Sequence, residues 1–448
     1  MRQVKATILI IAMAVLSTAM AETRSVNVAV PSSDGSAVPV SLDLLTLRNA
    51  IGADFTFDWA NLRVSVDGAS VPYQIDDVDL NGRVSAGDEL AFLATADATV
   101  EVSDTALEAV AYEAGLEVAS SSDANGDTHL ITSLSGNGFS VEVAPEGLTR
   151  ITGFGDTQGV LAAELGILRF SGFPESTWWA NQEYGPHEEY TTLEAGGMRH
   201  VQTQVLPAGP ARVVVVSEYA SDRFVGLTQR VVSRVYHSAD VDVSNSVRFG
   251  GYSDMMKLQS MATNMVSQVD PDAQHVLPVF RRLIWADQLG VSAQDYFTER
   301  NAVHDVDGSP VIAFNSNDNL TPLYWGAAYI FASAEPWRAG VSDALGLAVI
   351  ESAHATPDIA DDYDEWLSGD TWVFESQEFR TGVFKWTADE FGTYAATENI
   401  TLNEPNHHLP GDTAEFRLTY SVRDVTGVDD AVRQARSLQA AIEGVTLE

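Results

Sequence analysis

The sequence predicts an all-β protein: a small N-terminal antiparallel β domain, then a large antiparallel β-sandwich of the supersandwich kind, closed by one C-terminal helix. Three observations predict it. Apolar and polar residues alternate with period two in short bursts along almost the whole chain. Gly, Asp, Asn and Pro punctuate the bursts as turn signals. The helices of about 10–15 residues that a parallel α/β sheet places between its strands are almost entirely missing.

Taken in order, residues 1–21 read as a secretory signal peptide, with Arg2 and Lys5, the apolar run from Ala6 to Leu16, and Ala19-Met20-Ala21 before the expected cut. That places the mature protein outside the cytoplasm, secreted or periplasmic. No later run of about 18 apolar residues predicts a membrane span. Residues 22–105 form the small domain, in the bursts SVNVAV, VPVSLDL, LRVSVDG and ELAFLA. The Ala-, Ser- and Asp-rich stretch TALEAVAYEAGLEVASSSDANGD marks a boundary, and Asp123-Ala-Asn125-Gly-Asp127 within it reads as a turn. Residues 128–448 form the large domain, with strand signals such as FSVEVA, RITGFG, ARVVVVSEYA, LTQRVVSRVYH, DVDVSNSVRF, ALGLAVIES and AEFRLTYSVRD. A short helix is expected near 292–299. A final one is expected over 428–442, where Val428, Val432, Ala435, Leu438 and Ile442 share a stripe that would pack on the sandwich edge.

The net charge is −38, from 63 acidic against 25 basic residues, which argues against nucleic acid or an anionic membrane as the main partner and suits a saline or marine habitat. Between Arg199 and Arg300, however, nine arginines and Lys257 meet ten carboxylates, so this window alone can tolerate an anionic ligand. With no cysteine, an exported fold rests on core packing and bound ions.

The twelve residues DVDLNGRVSAGD match the ligand frame of a calcium loop. Asp77, Asp79 and Asn81 offer side-chain oxygens, Arg83 its carbonyl, Gly82 the sharp turn and Asp88 the last carboxylate. Asp88 stands where a bidentate Glu is usual, and the flanks read as strands. The expected role is structural calcium, because a closed shell of protein oxygens leaves no position for substrate.

A Gly-x-Ser-x-Gly elbow, a Walker loop, a dinucleotide-binding glycine motif and a His-Glu-x-x-His helix are all missing from the sequence. What remains is ESTWWANQEYGPHEEYTTLEAGGMRH, which gathers Trp178, Trp179, Asn181, Gln182, Tyr184, His187, Tyr190, Arg199 and His200. Aromatic faces pack on sugar rings, while amides, His and Arg give directional hydrogen bonds, so the segment suits a carbohydrate cleft. Arg223, Arg234, Tyr236, Tyr252, Arg281 and Trp285 are further candidates, with Tyr324-Trp325 and Asn406-His407-His408 as additional rim groups.

The run VPVSLDL…LRVSVDGASVPYQIDDVDLNGRVSAGDELAFLA, followed by GPARVVVVSEYA, LTQRVVSRVYHSADVDVSNSVRF and ALGLAVIES, resembles secreted polysaccharide lyases. In that group, exo-rhamnogalacturonan-lyase-like and ulvan-lyase-like proteins carry a small β domain ahead of a galactose-mutarotase-like β-supersandwich. The resemblance implies β-elimination on a uronic-acid-containing polysaccharide. Such chemistry needs a base at C5, an acid for the leaving oxygen and a group that neutralises the carboxylate. His187 and Tyr190 are expected as base and acid, with His200 or Tyr236 as substitutes, and Arg199, Asn181 or Arg234 as neutraliser. A glycoside hydrolase with paired carboxylates, drawn from Glu183, Glu188, Glu189 and the 361–365 acidic run, is one alternative reading. A non-catalytic glycan-binding surface protein is the other.

Overall fold

Strands dominate the chain as the alternation predicts. The structure is a computed structural model that describes residues 21–31, 37–107, 111–163, 165, 168–173, 198–222, 226–248, 255–262, 265–278, 280–283, 303–315, 328–333, 335, 337–354, 371–374, 384–389, 411 and 413–447. The expected signal peptide, except Ala21, and the expected short helix at 292–299 lie outside the described residues.

The small unit contains β1 (Thr23–Ala29), β2 (Val38–Asp43), α1 (Leu44–Ile51), β3 (Leu62–Val66), β4 (Ala69–Ser70), β5 (Tyr73–Asp76), β6 (Glu89–Ala94) and β7 (Ala98–Ser103). Strands β1, β7, β3 and β4 lie side by side, and β2, β6 and β5 make a second sheet. Val38, Val40 and Leu42 point inward along β2 while their neighbours do not. They meet Val28, Val64, Leu90, Phe92 and Val100 in one core. Helix α1 was not expected, because its Leu44, Leu47 and Ile51 continue directly from the alternating VPVSLDL. Asp43 starts it by accepting the Thr46 N–H at 2.7 Å.

The large unit begins with a meander of β8 (Leu116–Asp123), β9 (Gly126–Ser133), β10 (Ser140–Val143), β11 (Thr149–Phe154) and β12 (Thr157–Ala162). Its first hairpin lies in the stretch read as a boundary, and turns at residues 123–126, where Asp123 accepts the Asn125 N–H at 2.7 Å. The chain continues through β13 (Leu168–Phe173), β14 (Met198–Val205), β15 (Arg212–Ser221), β16 (Thr228–Tyr236), β17 (Asp240–Arg248), β18 (Met255–Ala262), β19 (Gln274–Pro278) and β20 (Phe280–Leu283). It ends with β21 (Val303–Val306), β22 (Ser309–Asn315), β23 (Ala328–Ser333), β24 (Trp337–Ser342), β25 (Leu347–Ala353), β26 (Thr371–Phe374), β27 (Phe384–Asp389), β28 (Thr413–Asp424), α2 (Val428–Gly444) and β29 (Thr446–Leu447).

Ten of these strands form one antiparallel sheet in the order β14-β15-β16-β17-β28-β25-β24-β19-β22-β21, and six form another in the order β13-β18-β27-β26-β23-β20. The inner face of the ten-stranded sheet carries Val213, Val235, Val241, Val349 and Tyr420, which pack on Ile131, Phe139, Val141 and Ile151 of the meander. This is the expected sandwich. Helix α2 lies on the outer face and not on the sandwich edge. Its Val428, Val432 and Ala435 cover Val276, Trp337, Ala339 and Ile350. Strand β29 then pairs with β1, Val28 opposite Leu447, so the end of the chain completes the small unit's sheet.

Candidate functional site

The outer face of β14–β17 carries, by strand alternation, Arg212, Arg234, Tyr236, Asp240 and Asp242 beside an apolar patch of Val214, Val216 and Val232. The small unit covers its upper part. Arg212, wholly buried, donates to Asp76 (2.7 Å), Glu89 (2.8 Å), the Ser41 hydroxyl (3.0 Å) and the Tyr236 hydroxyl (2.8 Å). Arg234 donates through Nε to the same Glu89 at 2.7 Å. Burial pushes the Glu89 carboxyl up, but Arg234 and Arg212 outweigh it and hold it well below the usual carboxylate range. Arg234 and Tyr236 were expected beside a substrate; instead both are buried and committed to this inter-unit network. The alternation that placed them on one face could not show which face a second unit covers.

Farther along the same face, Asp242 binds Arg417 (Nε to Oδ1, 2.8 Å) and lies 3.7 Å from His354, whose Nε2 is 2.9 Å from the Thr419 hydroxyl. Burial, with Arg417 and Arg234 nearby, pushes His354 down to about 4 although Asp242 opposes it.

Register brings one end of the ten-stranded sheet together. Strands β14, β16, β24 and β28 start there, and β15, β17, β19 and β25 stop there, since neighbours run antiparallel. Met198 pairs with Ser221, Ala220 with Thr228, Thr228 with Arg248 and Arg248 with Thr413. Arg199, opposite Ala220, and Arg248 therefore occupy one row of the outer face, three strands or about 14 Å apart. Arg199 is exposed and pairs with Asp222 at 2.8 Å, and Arg248 is exposed. Arg230 and Arg417 lie farther in on the same face.

His200 faces the other way, against Tyr219, with ring centroids 5.7 Å apart. Its Nε2 meets the Thr203 hydroxyl at 2.7 Å, and a relay continues to Ser217 (2.9 Å) and the Gly147 carbonyl (2.9 Å). Burial lowers its pKa, which favours a neutral ring able to accept a proton at neutral pH.

The other expected site residues lie outside the described residues, but their attachment points do not. Trp178, Trp179, Asn181, Gln182, Tyr184, His187 and Tyr190 fall between β13 and β14, the edge strands of the two sheets. Arg223 falls between β15 and β16, Tyr252 between β17 and β18, and Asn406-His407-His408 between β27 and β28. All of these segments attach at the end just described. Trp285 falls between β20 and β21 and Tyr324-Trp325 between β22 and β23, segments that meet the ten-stranded sheet at its opposite end. Arg281 stands in β20, and its side chain is outside the described set.

The loop 77–88 joins β5 to β6. One carboxylate oxygen each of Asp77, Asp79 and Asp88 lies within 4.8 Å of the other two. Asp77 accepts the N–H groups of Asn81 (2.9 Å) and Gly82 (2.7 Å), and Asn81 accepts that of Arg83 (3.0 Å). Leu80 and Gly82 take positive φ, 59° and 77°, which makes the turn tight enough for the acids to converge. Asp88 is fully buried: its Oδ2 accepts the Ser85 N–H at 2.6 Å, and its Oδ1 has no hydrogen-bond partner among the described residues. Burial, then the charges of Asp79 and Asp77, push its carboxyl up.

No family model matches the chain, and no curated protein matches it. Among solved structures it is similar to a protein in the glycosyl hydrolase family 38 from Enterococcus faecalis, at 12% identity and a TM-score of 0.47 over 95% of this chain and 47% of that one. The chain thus spans about half the length of that protein. It is also similar to a galactose 1-epimerase from Lactobacillus acidophilus NCFM (10% identity, TM-score 0.36, 70% of this chain and 100% of that one). An aldose epimerase homologue from C. elegans gives 9% identity and a TM-score of 0.32 over 69% and 99%. At these scores the likeness assigns neither substrate nor reaction.

Proposed function

We propose that the protein is an exported carbohydrate-active protein that binds an acidic polysaccharide across the β14–β17 end of its ten-stranded sheet and cleaves it by β-elimination. The observation that carries this reading is the register row holding Arg199 and Arg248 at the end where the Trp-, Tyr- and His-bearing segments attach. A chain of net charge −38 repels a polyanion over most of its surface. Cationic side chains spaced along one row offer a uronate polymer successive carboxylate contacts, and aromatic residues from the attached segments supply stacking surface.

Elimination then needs a base and an acid. His187 and Tyr190 remain the assignment; His200, the substitute base, packs against Tyr219 on the face opposite the Arg199–Arg248 row, which disfavours it for proton abstraction there. Arg199 neutralises the uronate carboxylate and so acidifies C5.

The test is incubation of the mature protein with a panel of acidic and neutral polysaccharides. Lyase action yields unsaturated uronate, read by its ultraviolet absorbance. Reducing ends without unsaturation would mean a hydrolase, and binding without new ends a glycan-binding protein. Either outcome overturns the elimination step.

A further inference from the structure

The loop 77–88 does more than connect two strands of the small unit, because each of its ends is an inter-unit contact. Asp76, the residue before the first acid, and Glu89, the residue after the last, stand directly opposite each other in the β5–β6 pair. Both bind Arg212 of the large unit, and Glu89 also binds Arg234. Within the loop the Val78 carbonyl accepts from Arg230, and its side chain is buried against Val214, Val216 and Val232 of the outer face. Asp76, Asp77, Asp79, Asp88 and Glu89 therefore crowd one hairpin, and the two arginines answer only the outer two.

The inner three converge within 4.8 Å of one another, and among the described residues no arginine or lysine forms an ion pair with them. Asp88 supplies the independent sign: a fully buried carboxylate oxygen that makes no well-formed hydrogen bond among the described residues, beside two other acids, is a costly arrangement unless a positive charge meets it. All available donors are oxygens, which selects a hard divalent cation, and the spacing suits the larger coordination shell of calcium better than a rigid octahedron.

We infer that a calcium-sized divalent cation, held by Asp77, Asp79, Asn81, the Arg83 carbonyl and Asp88, clamps the small β unit onto the outer face of the ten-stranded sheet. Binding fixes the hairpin that presents Asp76, Val78 and Glu89, so it is linked to the inter-unit contacts and not only to the loop. This inference is independent of the proposed catalytic reading.

The experiment titrates chelator-stripped full-length mature protein with calcium chloride by calorimetry, and follows amide exchange by mass spectrometry with and without calcium. One binding event is expected, lost in Asp79→Asn/Asp88→Asn. Exchange should slow about tenfold both in the loop and in the facing strand segments 212–216 and 230–236. Absence of binding heat, or binding that survives the double substitution, overturns the site. Protection confined to the loop overturns the clamp. Should the variant fail to fold, the exchange pattern of the unaltered protein decides the matter by itself.

Discussion

Replacing Arg212 by Met tests whether the two units are held by a buried ionic network. The guanidinium is wholly buried and bonds to Asp76, Glu89, Ser41 and Tyr236 at 2.7–3.0 Å. Methionine fills much of the volume but gives none of the donors. Glu89 would keep Arg234. Asp76, which is 5% exposed, would keep only the Gln74 amide at 2.7 Å and become a buried charge without a cation. Removing one partner of such a pair costs about 3–5 kcal/mol, whereas replacing both with apolar groups can be close to neutral. Arg212→Met should therefore lower the urea unfolding free energy by about 3–5 kcal/mol, and Arg212→Met/Asp76→Leu should recover a large part of the loss. A loss under about 1 kcal/mol, or a double variant that simply sums the single losses, would show that this network does not hold the two units together.

Three further outcomes follow from the same structure. Burial depresses His354 to about 4 and His275 to about 3, so the unfolded chain takes up their protons first as pH falls below 6.5. Stability present above 6.5 is then lost toward pH 4 with a slope of about 1.4 kcal/mol per pH unit for each such group, checked by urea titrations across that range; a flat profile would contradict it. Gly147 has φ +80°, and an added Cβ would stand 2.5 Å from the Thr203 hydroxyl and 2.9 Å from those of Ser217 and Tyr219. Gly147→Ala should cost about 1–3 kcal/mol by thermal unfolding. Arg199→Glu/Arg248→Glu, both at exposed positions, should leave stability within about 0.5 kcal/mol yet weaken binding of an acidic polysaccharide about tenfold or more at low salt; isothermal titration reads the affinity.

Strand content and sheet faces were legible because period-two alternation follows directly from pleat geometry, as Val38, Val40 and Leu42 show. Helix α2 was legible from its stripe, while α1 hid behind a strand that runs into it without a break; Asp43 before Leu44, Leu47 and Ile51 was the signal to notice. The β8 half of the first hairpin went unread because its outer residues are Ser, Ala and Glu, which resemble a linker. Arg234 and Tyr236 show the deeper limit. Alternation fixes which residues share a face, but burial by a unit distant in sequence depends on Asp76 and Glu89, whose partners are more than a hundred residues away. The acid spacing in the loop, in contrast, is purely local, so the convergence of Asp77, Asp79 and Asp88 could be read from the chain directly.

The proposed binding row is tested most directly by a crystal structure of the protein with an acidic oligosaccharide that it binds. Uronate carboxylates are expected within hydrogen-bond range of Arg199 or Arg248, with the sugar lying across the strand ends of β14–β17. Sugar bound at the opposite end of the ten-stranded sheet, or touching neither arginine, would contradict it.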